Sequence, residues 1–347
     1  MKVLIVLPRI EGGPHVGHMN MVGSFESVYG NNKEFTYELA EMEDSPGYIR
    51  TPKDLDERLL KQDFDVALVT PCFQYNVSLE TAKKLGKKLS LCIWDSYTEY
   101  YGRYPYPAFG SFYANNICHN IRVNYRMFLK SKNVARHHFQ KHTPYEYSQY
   151  CNILAFDIGV DEEEFSNIYS SWTPLDSRIF TPSLEEEKIY DVSFGGSWHS
   201  EERKNMIMSL IDKGIDVKKF GGQRQSNDED LSWEDYAKYH RMSKIGLNIN
   251  KNQSLIHKNG RIFELAASNT LMLIKYPEAL YSRGKYLFKE NQHFLTFNDD
   301  NLYDIVKYYL DNPEERIKIS TAMHEHYNNN YTASHFWNNV FDIYSKQ

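Results

Sequence analysis

Uninterrupted apolar runs recur along the chain, each followed by a Gly- or polar-rich turn and then by a stretch with helical spacing. KVLIVLP at 2–8 has the continuous character of a strand buried on both faces of a parallel sheet. A loop with Gly12, Gly13 and Gly17 follows, and an apolar-periodic helix begins near Met19. FDVALVT (64–70) predicts a second buried strand. TAKKLGKK predicts a helix leading into the strand KLSLCIW (88–94), and NILAFDIGV (152–160) closes this half with another strand.

Residues 171–188 hold Pro174, Pro182 and a run of Glu with little periodicity, and read as a linker. The pattern then restarts. YDVSFGGS (190–197) is strand plus Gly turn, and RKNMIMSLIDKG (203–214) is an amphipathic helix stopped by Gly214. IDVKKFGG, WEDYAKYHRMS, KIGLNIN, GRIFELAASN and TLMLIKY alternate strand and helix through residue 276, and helices fill 302–312 and 314–331. The expectation is an α/β chain of two Rossmann-like domains facing a cleft. An acceptor domain spans 1–170 and a donor domain 189–330. A last helix within 331–347 packs back on the first domain.

The 347 residues fit two domains, and 41% apolar and 25% charged residues are ordinary for a globular protein. No apolar run approaches the 18 residues of a membrane span, and the opening strand is too short for a signal peptide, so a cytoplasmic enzyme is expected. Cys72, Cys92, Cys118 and Cys151 form no C-x-x-C pair, which argues against zinc and against a disulfide framework. The net charge of -6 does not fit a general nucleic-acid binder. Charge is uneven, however: residues 101–150 carry seven Lys/Arg against one acid, a local excess of 7 − 1 = +6.

Candidate chemistry concentrates in KNGRIFELAASNTLMLI (258–274). Glu264 stands amid the apolar side chains of a helix, where a carboxylate can accept hydrogen bonds from the two hydroxyls of a ribose. The turn before it carries His257, Lys258 and Arg261, cations that with free helix N–H groups suit a diphosphate. The segment resembles the donor-site signature of GT-B glycosyltransferases, in which a helix glutamate holds the donor ribose. With the downstream FLTFNDDNLYDIVKYYLDNPEERIKISTAMHEHY it resembles the group 1 branch that includes CgeB-type proteins. That branch has a strand, a G-S turn, an Arg and a helix at the start of its C domain, matched by Phe194, Gly196, Ser197 and Arg203. It has a Gly after the next strand, matched by Gly221 and Gly222. The resemblance implies a sugar transferase with a nucleotide-sugar co-substrate, UDP-linked, and no other cofactor. Two departures stand out. Ile256 replaces the first acid of the E-x7-E pair of retaining relatives, and His257 lies seven rather than eight residues before Glu264, so neither retention nor inversion is assigned.

The N-terminal loop PRIEGGPHVGHMNMVG resembles the G-H-x-N loop of inverting GT-B enzymes. This implies His18 as general base, with Asp95 fixing its tautomer, His15 as alternative base or acceptor contact, and Gly13 near the donor. The doubled Rossmann pattern argues against the acid pair of a metal-dependent GT-A enzyme, so no metal is expected. The basic, Tyr-rich segment 101–142, with Arg122 and Arg126, reads first as a solvated helical face. Its second reading is an acceptor site for an anionic glycan, a lipid head group or DNA. Three rivals to a transferase acting on a glycan, lipid or small molecule remain open: a DNA-modifying glycosyltransferase, a sugar-nucleotide epimerase or phosphorylase of the same fold, and a non-catalytic binding protein.

Overall fold

The computed structural model describes residues 1–10, 13–14, 16–30, 36–42, 52–70, 77–93, 147–156, 167–182, 186–196, 201–221, 231–249, 260–275 and 288–345. Two compact units emerge. The first comprises Met1–His18, Asn32–Ser171 and Phe341–Gln347, and the second Met19–Asn31 and Trp172–Val340.

The first unit is built on β1 (Lys2–Ile10), whose Val3, Leu4, Ile5 and Val6 are all buried. Its last residues reverse into β2 (Gly13–Pro14), with Ile10 paired to Gly13 and Arg9 to Pro14 in antiparallel register. The predicted Gly loop is therefore part of a small hairpin before α1 (Val16–Tyr29) begins. The remaining strands are parallel: β3 (Thr36–Met42), β4 (Val66–Val69), β5 (Leu89–Ile93), β6 (Asn152–Ala155) and β7 (Ile168–Ser170). They lie in the order β3-β1-β4-β5-β6-β7. Sequence reading passed over β3, because Glu38 and Glu41 break the apolar run, although all seven of its residues pair with β1. It also passed over α2 (Pro52–Lys61), which buries Leu55 and Leu59 against Phe64 and the strand residues Leu4 and Val69. α3 (Leu79–Leu85) starts at Ser78, whose hydroxyl accepts from the Thr81 N–H, and ends at Gly86, where φ is 58°. Tyr344, near the end of the chain, is 2.6 Å from the Ser90 hydroxyl on β5.

The second unit has the strand order β12-β11-β10-β8-β9, all parallel. The strands are β8 (Tyr190–Gly195), β9 (Val217–Phe220), β10 (Ser243–Asn248), β11 (Leu271–Lys275) and β12 (Phe294–Phe297). The chain runs from β8 outward to β9, then returns to place β10 on the other side of β8. The β8/β10 junction is thus a topological switch point, and the carboxyl ends of such strands are where doubly wound folds bind ligands. Residues 171–180, expected as linker, are packed. Trp172, Leu175 and Phe180 are buried, the short helix α4 (Ser177–Phe180) is capped by Asp176, and Trp172 Nε1 donates to the Tyr331 carbonyl at 2.9 Å. The stretch Met19–Asn31 of α1 belongs here as well: Phe25 meets Trp337 edge-on at 4.8 Å, and Trp337 Nε1 donates to the Ser24 hydroxyl.

The helices that matter for the site are α5 (Glu201–Asp212), α6 (Trp233–Arg241) and α7 (Gly260–Ala267). α7 lies close on β10 because residue 246 is glycine: a Cβ there would come 2.1 Å from Leu265 Cδ2. α8 (Leu302–Asp311), α9 (Pro313–Asn330) and α10 (Ala333–Ser345) complete the chain.

Candidate functional site

The carboxyl ends of β8, β9 and β10 converge on a cluster of polar side chains. β8 ends in Gly195 and continues into Gly196, whose φ of 151° and N–H, donated to the Phe220 carbonyl at 2.8 Å, turn the chain away from the sheet. Neither position has room for a side chain. A Cβ on Gly195 would meet the Tyr236 hydroxyl at 2.9 Å and His240 Nε2 at 3.1 Å, and one on Gly196 would meet Arg261 Nη2 at 2.9 Å. These glycines allow the polar groups of α6 and α7 to approach the end of β8.

Glu264 is the fifth of the eight residues of α7 and only 4% exposed. Its Oε2 accepts a hydrogen bond from the Tyr236 hydroxyl at 3.0 Å and lies 3.7 Å from His240 Nε2. Oε1 has no hydrogen bond among the described residues. Burial raises the carboxyl above its ordinary range, partly offset by the Arg261 charge and the Tyr236 hydrogen bond. The same burial pushes the Tyr236 hydroxyl up, helped by the Glu264 charge. His240 is fully buried and falls well below the usual imidazole value through burial, with Arg261 and Lys188 adding to it. Burial thus works against a charge on the imidazole beside Glu264.

Arg261 was expected in the turn ahead of the helix; it lies instead inside α7, one residue after Gly260. Its guanidinium sits over the Phe194 ring at 5.3 Å, with Nη1 3.5 Å from Asn248 Oδ1 at the end of β10. Arg203, on the first turn of α5, is 5% exposed. It lies over the same ring at 5.4 Å, and its Nη2 donates to the Ile249 carbonyl at 2.6 Å. Two cations thus bracket one aromatic ring at the end of β8, an arrangement suited to a doubly charged anion. Lys188 holds the frame from behind, its ammonium donating to the Arg241 and Ser243 carbonyls and to Thr270 Oγ1 at 2.9–3.0 Å. Burial lowers this lysine to about 7.

Gly196, Arg203, Arg261 and Glu264 are thus brought together. Ser197, His257 and Lys258, expected beside them, lie outside the described residues, as do His15, Asp95, Arg122 and Arg126. Gly13 is in β2 and His18 on the first turn of α1. Tyr236, His240 and Asn248 were not singled out from the sequence. The i, i+4 pair Tyr236 and His240 on the apolar side of α6 was the available signal. Among the described residues no three His, Cys, Asp or Glu side chains are grouped as metal ligands.

Comparison with known proteins agrees with this architecture. Residues 184–342 match the family described as glycosyl transferase-like. The chain has the GT-B fold. Its fold is similar to that of Anabaena Alr3699/HepE in complex with UDP-glucose, with a TM-score of 0.59, 8% identity and 100% of both chains covered. A glycosyltransferase from Rickettsia africae aligns with a TM-score of 0.55 and 10% identity, over 99% of this chain and 98% of that one. An α-glucosyltransferase in complex with UDP-glucose and DNA containing an abasic site aligns with a TM-score of 0.56 and 10% identity, over 99% of each chain. No curated protein matches the sequence significantly. Among the described residues of the chain, no helix is long and apolar enough to cross a membrane.

Proposed function

We propose that this protein is a glycosyltransferase that moves a sugar from a UDP-sugar to an acceptor hydroxyl, with the donor held at the end of β8. Glu264 carries the reading. A carboxylate set in an apolar helix at the switch point, with one oxygen engaged by Tyr236 and the other without a hydrogen bond among the described residues, suits the vicinal hydroxyls of a ribose. Arg261 and Arg203, with Lys258, His257, Ser197 and the Gly196 turn, would take the diphosphate, whose charge grows as the bond from the anomeric carbon to its oxygen breaks. His18 would accept the proton of the attacking hydroxyl, with Asp95 as its orienting acid and His15 as the alternative base. No metal is required in this scheme. Two fold relatives are complexed with UDP-glucose, which makes that the first donor to try.

A thermal-shift panel of UDP-, GDP- and CDP-sugars tests the reading. A donor at a hundred times its dissociation constant should stabilise the protein by about 2.7 kcal/mol. The shift should vanish in Glu264→Ala, and a flat panel would sink the proposal.

A second reading has its own support. The excess of +6 over residues 101–150 and a fold relative complexed with DNA favour a nucleic-acid acceptor. Duplex binding should then weaken steeply with salt and on charge reversal of Arg122, Arg126 and Lys130. Salt-insensitive or absent binding would leave a glycan, lipid or small-molecule acceptor.

A further inference from the structure

Two side chains near Glu264 have no role in the scheme above. Tyr236 and His240 are one turn apart on α6 and address the same carboxylate oxygen, Oε2, at 3.0 Å and 3.7 Å. Both are held firmly. Trp233 stacks on Tyr236 with ring centroids 4.9 Å apart and planes at 21°, and Phe220 meets both Tyr236 and His240 edge-on. The His240 carbonyl accepts from Thr270 Oγ1 at 2.7 Å, fixing the end of the helix. The Ser232 hydroxyl, accepting from the Asp235 N–H, fixes its start. His240 is fully buried, yet among the described residues neither ring nitrogen has a hydrogen-bond partner. Such a group calls for an explanation, since buried polar atoms are nearly always satisfied.

Glycine also stands beside the other carboxylate oxygen. A Cβ at residue 260 would stand 3.2 Å from Oε1, so glycine there leaves that oxygen unobstructed. Gly195 does the same for the α6 pair, since any side chain on it would collide with the Tyr236 hydroxyl and His240 Nε2. Among the described residues, one oxygen of Glu264 is thus hydrogen-bonded and the other is not.

We propose that Tyr236 and His240 are positioning residues that aim Glu264 Oε1 at the donor ribose, His240 Nε2 closing to hydrogen-bond distance when the hydroxyls engage. This rests on the ribose reading of Glu264. Tyr236 supplies the standing hydrogen bond; His240 is a donor held just out of reach, as groups often are before a ligand arrives. Its orphaned ring then has a purpose, because a carboxylate oxygen lies only 3.7 Å from Nε2.

The test compares UDP with 2′,3′-dideoxy-UDP, which lacks the hydroxyls Glu264 would bind, by calorimetry on the full chain. The unaltered protein should prefer UDP by about tenfold or more, the worth of hydrogen bonds to a charged group. Glu264→Ala should erase the preference. Tyr236→Phe, which removes one oxygen and keeps the ring stack, should cut the preference at least threefold while leaving dideoxy-UDP affinity unchanged. His240→Phe should cut it less. A purely structural role would weaken both nucleotides by the same factor. That result, or an undiminished preference in both variants, overturns the proposal while leaving the ribose reading intact. If the unaltered protein binds neither nucleotide, or Glu264→Ala keeps the preference, the ribose reading itself fails and takes the positioning role with it.

Discussion

In the first unit, the described residues buried around the parallel sheet are hydrocarbon, aromatic or neutral: Leu4, Val69, Leu91 and Tyr147, with Ser90 and Asn152 as polar members, while the partly exposed Lys87 tucks in its ammonium, which burial lowers below the ordinary lysine range. In the second, a sheet of the same kind buries Asp176, Arg203 and Glu264, with His240 and His293 besides. Charge in an interior is costly unless paired, and two such cores should not differ in this way by folding requirements alone. The difference teaches where the chain spends stability on chemistry. The first core is optimised to exclude water. The second keeps ionisable groups at the carboxyl ends of its strands, where a ligand can complete their coordination.

Four substitutions probe that contrast, in descending order of expected effect. Leu91→Ala, at a fully buried position of β5, should cost about 2–5 kcal/mol, equally at all pH values, since it removes only hydrocarbon. Denaturant midpoints at pH 5 and pH 8 check it; a strong pH dependence would contradict an apolar first core. Gly246→Ala drives a methyl into Leu265 and should cost about 1–3 kcal/mol by overpacking. Restoration of part of the loss by a second change, Leu265→Val, would confirm the cause.

Glu264→Gln should do the reverse and stabilise the unliganded protein, by roughly 0.5–2 kcal/mol at pH 7–8, the usual return from relaxing a functional site. The sign follows from the raised carboxyl. Above its elevated folded value the charged form is disfavoured in the fold and not in the unfolded chain, so the native protein is held back. Below the unfolded value both states are protonated, and the glutamine loses its advantage. Melting curves from pH 4 to pH 8 should therefore converge as pH falls; a variant less stable than its parent at pH 8 would refute the strain assigned to this core. Tyr147→Phe removes the 2.6 Å hydrogen bond to the Val77 carbonyl in the first unit. The loss should be about 1 kcal/mol, again without pH dependence.

Much of this was legible in the order of residues. Continuous apolar runs such as VALV and LMLI mark strands buried on both faces, and the helix stop at Gly214 follows from positive φ, whereas the stop at Gly86 was read through as helix. β3 escaped because Thr36–Met42 mixes Glu with apolar residues, and its pairing with β1 is a long-range fact with no local signature. The buried segment 171–180 escaped because Pro and Ser read as loop, while its anchors Trp172 and Leu175 act through partners far along the chain. At the site, Glu264 was visible as an acid in an apolar helix, Arg261 as a cation close before it, and Arg203 through the family resemblance. Tyr236 and His240 were not, since a tyrosine and a histidine on an amphipathic helix look like ordinary core until a carboxylate is seen 3.0 Å away.

The hydroxyl pair Ser90 and Tyr344 joins residues 254 positions apart within a single unit. During synthesis at about 5–20 residues per second, β5 would leave the ribosome some 13–50 s before its partner exists. Over that interval the nascent sheet is missing a piece that only the far end of the polypeptide supplies. Removal of the last turn of α10 would accordingly weaken the opening segment of the chain, and hydrogen exchange of the β5 amides would register the loss first.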